Sequence, residues 1–245
     1  LLQNQGDGTF IDRTLESGLG KYHYPSQTAA WADYDNDGDL DLYVGNETIP
    51  NEITSPCQLF RNQGNGTFIE CAKAAGVTNE RLAKGVAWGD IDGDRWPDLI
   101  VSNLGEKNRL YHNQGDGTFV DRAAELGVDR PIFSFPLWTW DYNNDGLLDL
   151  FISSYDRNVG NVVIHSMGLP TKTEPPGHYQ GTSKGQFTNR AKAQGLTQPM
   201  MPMGSNIGDL NNDGYLDFYL GTGEPQISVI LPNMMYLNLR GARFA

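Results

Sequence analysis

Cysteine is scarce, with two in 245 residues, which excludes a disulfide-dense miniprotein. Only four histidines occur, scattered, and no HExxH, CxxC or phosphate-cradling glycine loop is formed. No apolar run reaches the ~18 residues that a membrane-spanning helix needs. Basic residues are outnumbered, 18 Lys and Arg against 30 Asp and Glu, for a net charge of −12. That balance argues against nucleic acid or an anionic membrane surface as partner. No signal peptide is legible. The chain starts at Leu1 without a methionine and stops at "GARFA" inside a repeat, so a piece of a longer protein is expected.

What is abundant is aspartate at fixed spacing. "WADYDNDGDLDL" holds five aspartates, and the pattern D-x-D/N-x-D-x-x-x-D occurs four times. The copies are Asp33, Asp35, Asp37, Asp41; Asp90, Asp92, Asp94, Asp98; Asp141, Asn143, Asp145, Asp149; and Asp209, Asn211, Asp213, Asp217. Gly38, Gly146 and Gly214 hold the sixth position, and Arg95 stands there in the second copy. Successive copies start 57, 51 and 68 residues apart, a repeat period to be read before anything else. The fourteen aspartates at these positions account for the acidity, since without them the chain carries +2.

A second element recurs between the acidic loops: "LLQNQGDGTFIDRTLESGLG", "QLFRNQGNGTFIECAKAAGV", "RLYHNQGDGTFVDRAAELGV", and weaker copies from 178 and 234. Each is an apolar run, a Gly/Asn/Asp turn and a second run, which is hairpin grammar. A helical turn stopped by glycine follows. Each acidic loop also lies between strand-like runs: "TAAWA" and "GVAWG" before, "LDLYVGN" and "PDLIVSN" after. Four antiparallel strands in ~50 residues make one blade of a β-propeller. The predicted fold is therefore all-β, a propeller of four-stranded antiparallel blades. It comprises a half blade at 1–20 and blades at 28–77, 85–128, 134–196 and 203–245, about four and a half blades of an expected seven-bladed ring. The connection at 153–180 is longer than its counterparts and rich in proline, and reads as a surface insertion.

Oxygen donors at alternating positions suit a hard cation. Calcium takes six to eight oxygens, while magnesium demands a tight octahedron and keeps its waters. Transition metals favour His or Cys, and the motifs hold neither. The first, third, fifth and ninth side chains are the expected ligands, with the seventh-position carbonyls of Asp39, Trp96, Leu147 and Tyr215. The ninth aspartate is expected to close the site with both oxygens. An EF-hand is excluded, because it needs a glutamate at position twelve and flanking helices, and here Val44, Val101, Ile152 and Leu220 stand there. About four Ca2+ sites are predicted, the second weakened by Arg95.

The paired signatures resemble FG-GAP/VCBS repeats, the blades of integrin alpha-subunit propellers. "LYHNQGDGTFVDRAAELGV" with "GVAWGDIDGDRWPDLIVSN" is most similar to secreted proteins of the ASPIC/UnbV type. The resemblance implies a calcium-binding extracellular or periplasmic propeller for adhesion or ligand binding.

Enzyme-like features have simpler readings. "GTSKG" at 181–185 matches a nucleophile elbow, yet it aligns with "GDGTF", so Ser183 reads as a turn residue. His112 occupies the slot of Gln3 and Arg61 and reads as an exposed strand position. Trp31 and Trp88 read as blade-to-blade packing. The innermost runs are small and apolar, without convergent carboxylate, His, Lys or Tyr, which predicts a non-catalytic module with a protein or glycan partner. A structural subunit of an extracellular assembly and a polysaccharide-acting enzyme are the alternatives. Cys57 and Cys71 flank Gly64 symmetrically and either bridge a hairpin or remain free thiols. Asn46 and Asn65 lie in N-glycosylation sequons.

Overall fold

The period-2 patterning and the turn residues fold as strands and hairpins. The computed structural model describes residues 1–49, 51–224 and 231–245. A hairpin, β1 (Leu2–Asn4) and β2 (Phe10–Asp12), comes first. Three four-stranded antiparallel sheets follow. The first is β3 (Ser26–Ala32), β4 (Asp41–Asn46), β5 (Gln58–Asn62) and β6 (Phe68–Glu70). The second is β7 (Ala83–Gly89), β8 (Asp98–Asn103), β9 (Arg109–Asn113) and β10 (Phe119–Asp121). The third is β11 (Ser134–Trp140), β12 (Asp149–Ser154), β13 (Gly177–Gly181) and β14 (Phe187–Asn189). The last has three strands among the described residues: β15 (Pro202–Gly208), β16 (Asp217–Thr222) and β17 (Met234–Tyr236). The fold is the propeller arrangement expected from the repeats.

The innermost strands β3, β7, β11 and β15 lie side by side in that order. Each carries a register shift near its start, at Ser26/Thr28, Ala83/Gly85, Ser134/Leu137 and Pro202/Gly204. A bulge there increases local twist. Hydrophobic packing is built between sheets. Tyr43 and Leu59 of the first, with Val77 after it, meet Leu99, Val101 and Tyr111 of the second. Ile100 and Leu110 meet Leu137, Leu150 and Ile152. Trp138, Trp140 and Phe151 meet Phe218 and Tyr236. The near-continuous apolar runs of β8 and β12 are buried along their whole length, as strands covered on both faces must be.

Four details differ from the sequence reading or extend it. Asn62 pairs with Phe68, so the turn centres on residue 65 and not on Gly64. The Cys71 N–H then donates to the Leu59 carbonyl, the two cysteines do not face each other, and both thiols are free. Trp88 packs at the first seam, its Nε1 donating to Ala30 O at 3.3 Å, but Trp31 is 45% exposed and leans on Phe68. The insertion forms a helix, α1 (Val159–Ser166), started by Asn158, whose side chain accepts from Gly160 N–H. Ser183 sits in the exposed turn closed by Gly185 N–H on Thr182 O.

Candidate metal centres

Each acidic loop is the link between the first and second strands of its sheet, and its aspartates hold the backbone before they hold anything else. The first-position carboxylates fold the loop. Asp33 accepts from the N–H groups of Asp37 and Gly38, each at 3.0 Å. Asp90 does the same with Asp94 and Arg95, Asp141 with Asp145 and Gly146, and Asp209 with Asp213 and Gly214. The fifth-position carboxylates accept from the seventh-position N–H: Asp37 from Asp39, Asp94 from Trp96, Asp145 from Leu147 and Asp213 from Tyr215. Such local bonds are what Asp offers a turn. The sixth residue is left-handed in every copy: φ is +93° at Gly38, +83° at Gly146, +88° at Gly214 and +76° at Arg95. Arg95 thus adopts a conformation that glycine takes without steric cost, with its side chain exposed.

The ninth-position aspartates do a different job. Asp41, Asp98, Asp149 and Asp217 are at most 1% exposed. One oxygen of each accepts from the second residue of its own loop: Tyr34, Ile91, Tyr142 and Leu210. The other accepts from the end of the third strand, at Asn62, Asn113 and Gly181, and just beyond it at Asn238, over 2.7–2.8 Å. A carboxylate has about four lone-pair sites, so beside these two bonds one on each oxygen remains for a cation at Asp41, Asp149 and Asp217, while at Asp98 the second site on Oδ1 faces His112 Nδ1 at 2.9 Å. Burial pushes Asp41 and Asp98 up to about 6 and Asp149 up to about 7; the loop carboxylates around Asp41 and Asp149 add to the rise.

The third-position residues divide: Asn143 and Asn211 accept from the N–H groups of Asp145 and Asp213 at 3.2 and 3.0 Å, whereas Asp35 and Asp92 each keep one oxygen unpartnered. Asp35 Oδ1 and Asp92 Oδ1 are sealed from solvent and have no hydrogen-bond partner. Burial raises Asp35, and Asp37 and Asp33 raise it further. Oxygens of Asp33, Asp35 and Asp37 all lie within 4.8 Å of one another, as do those of Asp90, Asp92 and Asp98. Unpaired buried anionic oxygens are costly, and a divalent cation satisfies them. The donor set therefore fits calcium in the first two loops: three carboxylates converge and one oxygen points at no protein donor. In the third and fourth loops Asn143 and Asn211 turn Nδ2 toward Asp145 Oδ2 and Asp213 Oδ2, at 2.9 and 3.2 Å. Each amide oxygen holds one loop N–H and keeps a second lone pair for a cation, so these loops fit with one charge fewer.

One residue facing a loop was not legible as such. His112 is not an exposed strand position. Its side chain is 16% exposed, with Nδ1 2.9 Å from Asp98 Oδ1 and 3.7 Å from Asp92 Oδ2. The residue before the third-strand partner of the ninth aspartate faces the loop as His112 in the second blade and as Gln180 in the third, a register visible only in the paired strands. Of the two sequons, Asn46 is fully buried and its Nδ2 donates to Pro56 O at 2.7 Å, whereas Asn65 stands on an exposed turn.

No helix among the described residues is long and apolar enough to cross a membrane. The FG-GAP-like repeat family matches residues 1–44, 52–101, 90–152 and 141–220. Cartilage acidic protein 1 of Mus musculus is 29% identical over 140 residues, 54% of this chain and 22% of that protein. The Xenopus tropicalis protein of that name is 26% identical over 216 residues, 85% of this chain and 30% of that protein. The chain thus spans less than a third of the length of these curated relatives. A solved Agrocybe aegerita lectin, described for specific recognition of non-reducing terminal N-acetylglucosamine, superposes with a TM-score of 0.49 at 17% identity, covering 100% of this chain and 58% of that one. With repeats, blades and acidic loops all in register, the chain belongs to the FG-GAP-like repeat family.

Proposed function

We propose that this chain is a calcium-stabilised, non-catalytic ligand-binding propeller of the extracellular space, with a protein or glycan as its partner. The observation that carries the cation part is the pair of sealed, unpartnered oxygens, Asp35 Oδ1 and Asp92 Oδ1, each inside a cluster of carboxylates. Calcium supplies the missing positive partner. It neutralises a loop that ties the first strand of a blade to the second and, through the ninth aspartate, to the third. Extracellular calcium at millimolar levels saturates even weak sites of this kind, and the kinship with cartilage acidic protein 1 supports that setting.

The non-catalytic part rests on the inner strands. Their sequences, SQTAAWA, AKGVAWG, SFPLWTW and PMGSNIG, contain no Asp, Glu, His, Tyr or Cys. Their one charged group, Lys84, pairs with Glu47 and lies over the Phe135 ring. The Ser and Thr hydroxyls of these strands therefore have no carboxylate or imidazole on the same strands to act as general base. Isothermal titration of calcium into chelator-stripped protein tests the reading. The expected result is saturable binding at up to four sites, with Asp35→Ala removing one; no heat and no saturation would refute it.

A further inference from the structure

The four blades differ in the residue that precedes the partner of the ninth aspartate. The slot is Arg61 in the first blade, His112 in the second, Gln180 in the third and Leu237 in the fourth. A guanidinium has no lone pair to give a cation, leucine has none, and the Gln180 amide reaches Asp145 Oδ2 only at 3.5 Å. His112 is the exception. A ring nitrogen and oxygens of Asp92 and Asp94 lie within 4.8 Å of one another. Asp92 also belongs to the cluster with Asp90 and Asp98, and its Oδ1 is the sealed oxygen without a partner. Neutral imidazole is a ligand for first-row transition metals, and geometry and ligand type set the selectivity among divalent cations.

We propose that the second loop is a mixed nitrogen–oxygen site, with His112 as the nitrogen ligand beside Asp92 and Asp94. It takes a borderline first-row divalent cation such as Co2+, Ni2+ or Zn2+ in preference to calcium, while the other three loops remain all-oxygen calcium sites. This rests on the cation-binding reading above. It also gives the second loop's departures a common sense. Arg95 at the sixth position costs the loop some of the conformational ease that its sisters have from glycine, and a stronger nitrogen donor offsets that loss. The alternative is a latch: His112 does no more than hold Asp98 across the strands through the 2.9 Å contact.

Co2+ added to the stripped full chain in a large excess of calcium separates the two. The proposal expects one equivalent of Co2+ retained, with a paramagnetically shifted imidazole N–H resonance in the NMR spectrum. His112→Gln, which installs the residue type of the third blade, should remove that resonance and weaken Co2+ binding at least about tenfold. Calcium binding at the remaining loops should be unchanged. If the variant does not fold, the shifted imidazole signal of the unmodified protein decides alone. Calcium binding without a retained, nitrogen-ligated Co2+ overturns this inference and leaves the calcium reading standing. Failure to bind either cation overturns both.

Discussion

At the scale of single residues, the acidic loops divide their labour by position. The ninth aspartate is a structural group that a cation can also use, while the fifth is exposed, and in the first loop the Asp37 carboxylate is bonded to Asp39 alone. Asp41→Ala leaves the buried N–H groups of Tyr34 and Asn62 without acceptors, so it should cost about 2–4 kcal/mol even with no cation present. Asp37→Ala removes only a local bond to Asp39 and should cost under about 1 kcal/mol in chelator. Its effect should appear when calcium is added, as lost stabilisation. Urea unfolding of both variants, with chelator and with calcium, checks this contrast; equal losses in chelator would contradict it. Arg95 sits at φ +76°, so Arg95→Gly should stabilise the cation-free chain by about 1 kcal/mol. It should also tighten cation binding at that loop, and a titration that finds equal affinity in the two proteins would count against the idea.

At the scale of elements, seams are latched unequally. Asn113, 1% exposed, donates from Nδ2 to the Tyr34 carbonyl of the preceding sheet at 2.8 Å. Asn238 does the same to Tyr142 O at 2.7 Å. The loops repeat this pairing: Asn36 donates to Arg95 O and Asn144 to Gly214 O. Between the second and third sheets Gly181 and Gly93 occupy these slots, and neither has a side chain to donate. Asn113→Ala should therefore cost about 2–3 kcal/mol. Asn62→Ala, whose Nδ2 reaches only Leu40 O of its own blade, should cost about 1 kcal/mol. Urea midpoints in chelator measure the difference. The repeats, the blade order and the loops were legible in the sequence because their signals are local: alternation, turn residues and aspartate spacing. What was not legible depends on register. The slot of His112, the second bond of each ninth aspartate and the offset that separates Cys57 from Cys71 all follow from which residue lies across the sheet. The helix in the insertion was hidden for another reason: its β-branched "VVI" run is a weak helix former, and none of its residues is buried.

At the scale of the whole molecule, the loops load the fold with carboxylates that do not want their charge. In the folded, cation-free protein Asp41 and Asp98 titrate at about 6 and Asp149 at about 7, all raised chiefly by burial. Unfolded aspartate titrates near 3.9. The native state therefore holds more protons between about pH 4 and 7, so stability is greatest at the acid end of that window and is lost as pH rises through 6–7. Buried His178, held down to about 4 by desolvation, pulls the other way. Three carboxylates outweigh one imidazole. In chelator the melting temperature should rise on going from pH 8 to pH 5. With calcium the trend should reverse, because protons then compete with the cation. Thermal melts across that range check both signs.

If divalent cations hold the blades together, the melting temperature at neutral pH must differ between chelator and millimolar calcium. Several sites filled in the folded state alone, each adding RT ln(1 + [L]/Kd), should raise the melting temperature by about 10 °C or more. Coincident melting curves in calcium and chelator would contradict it.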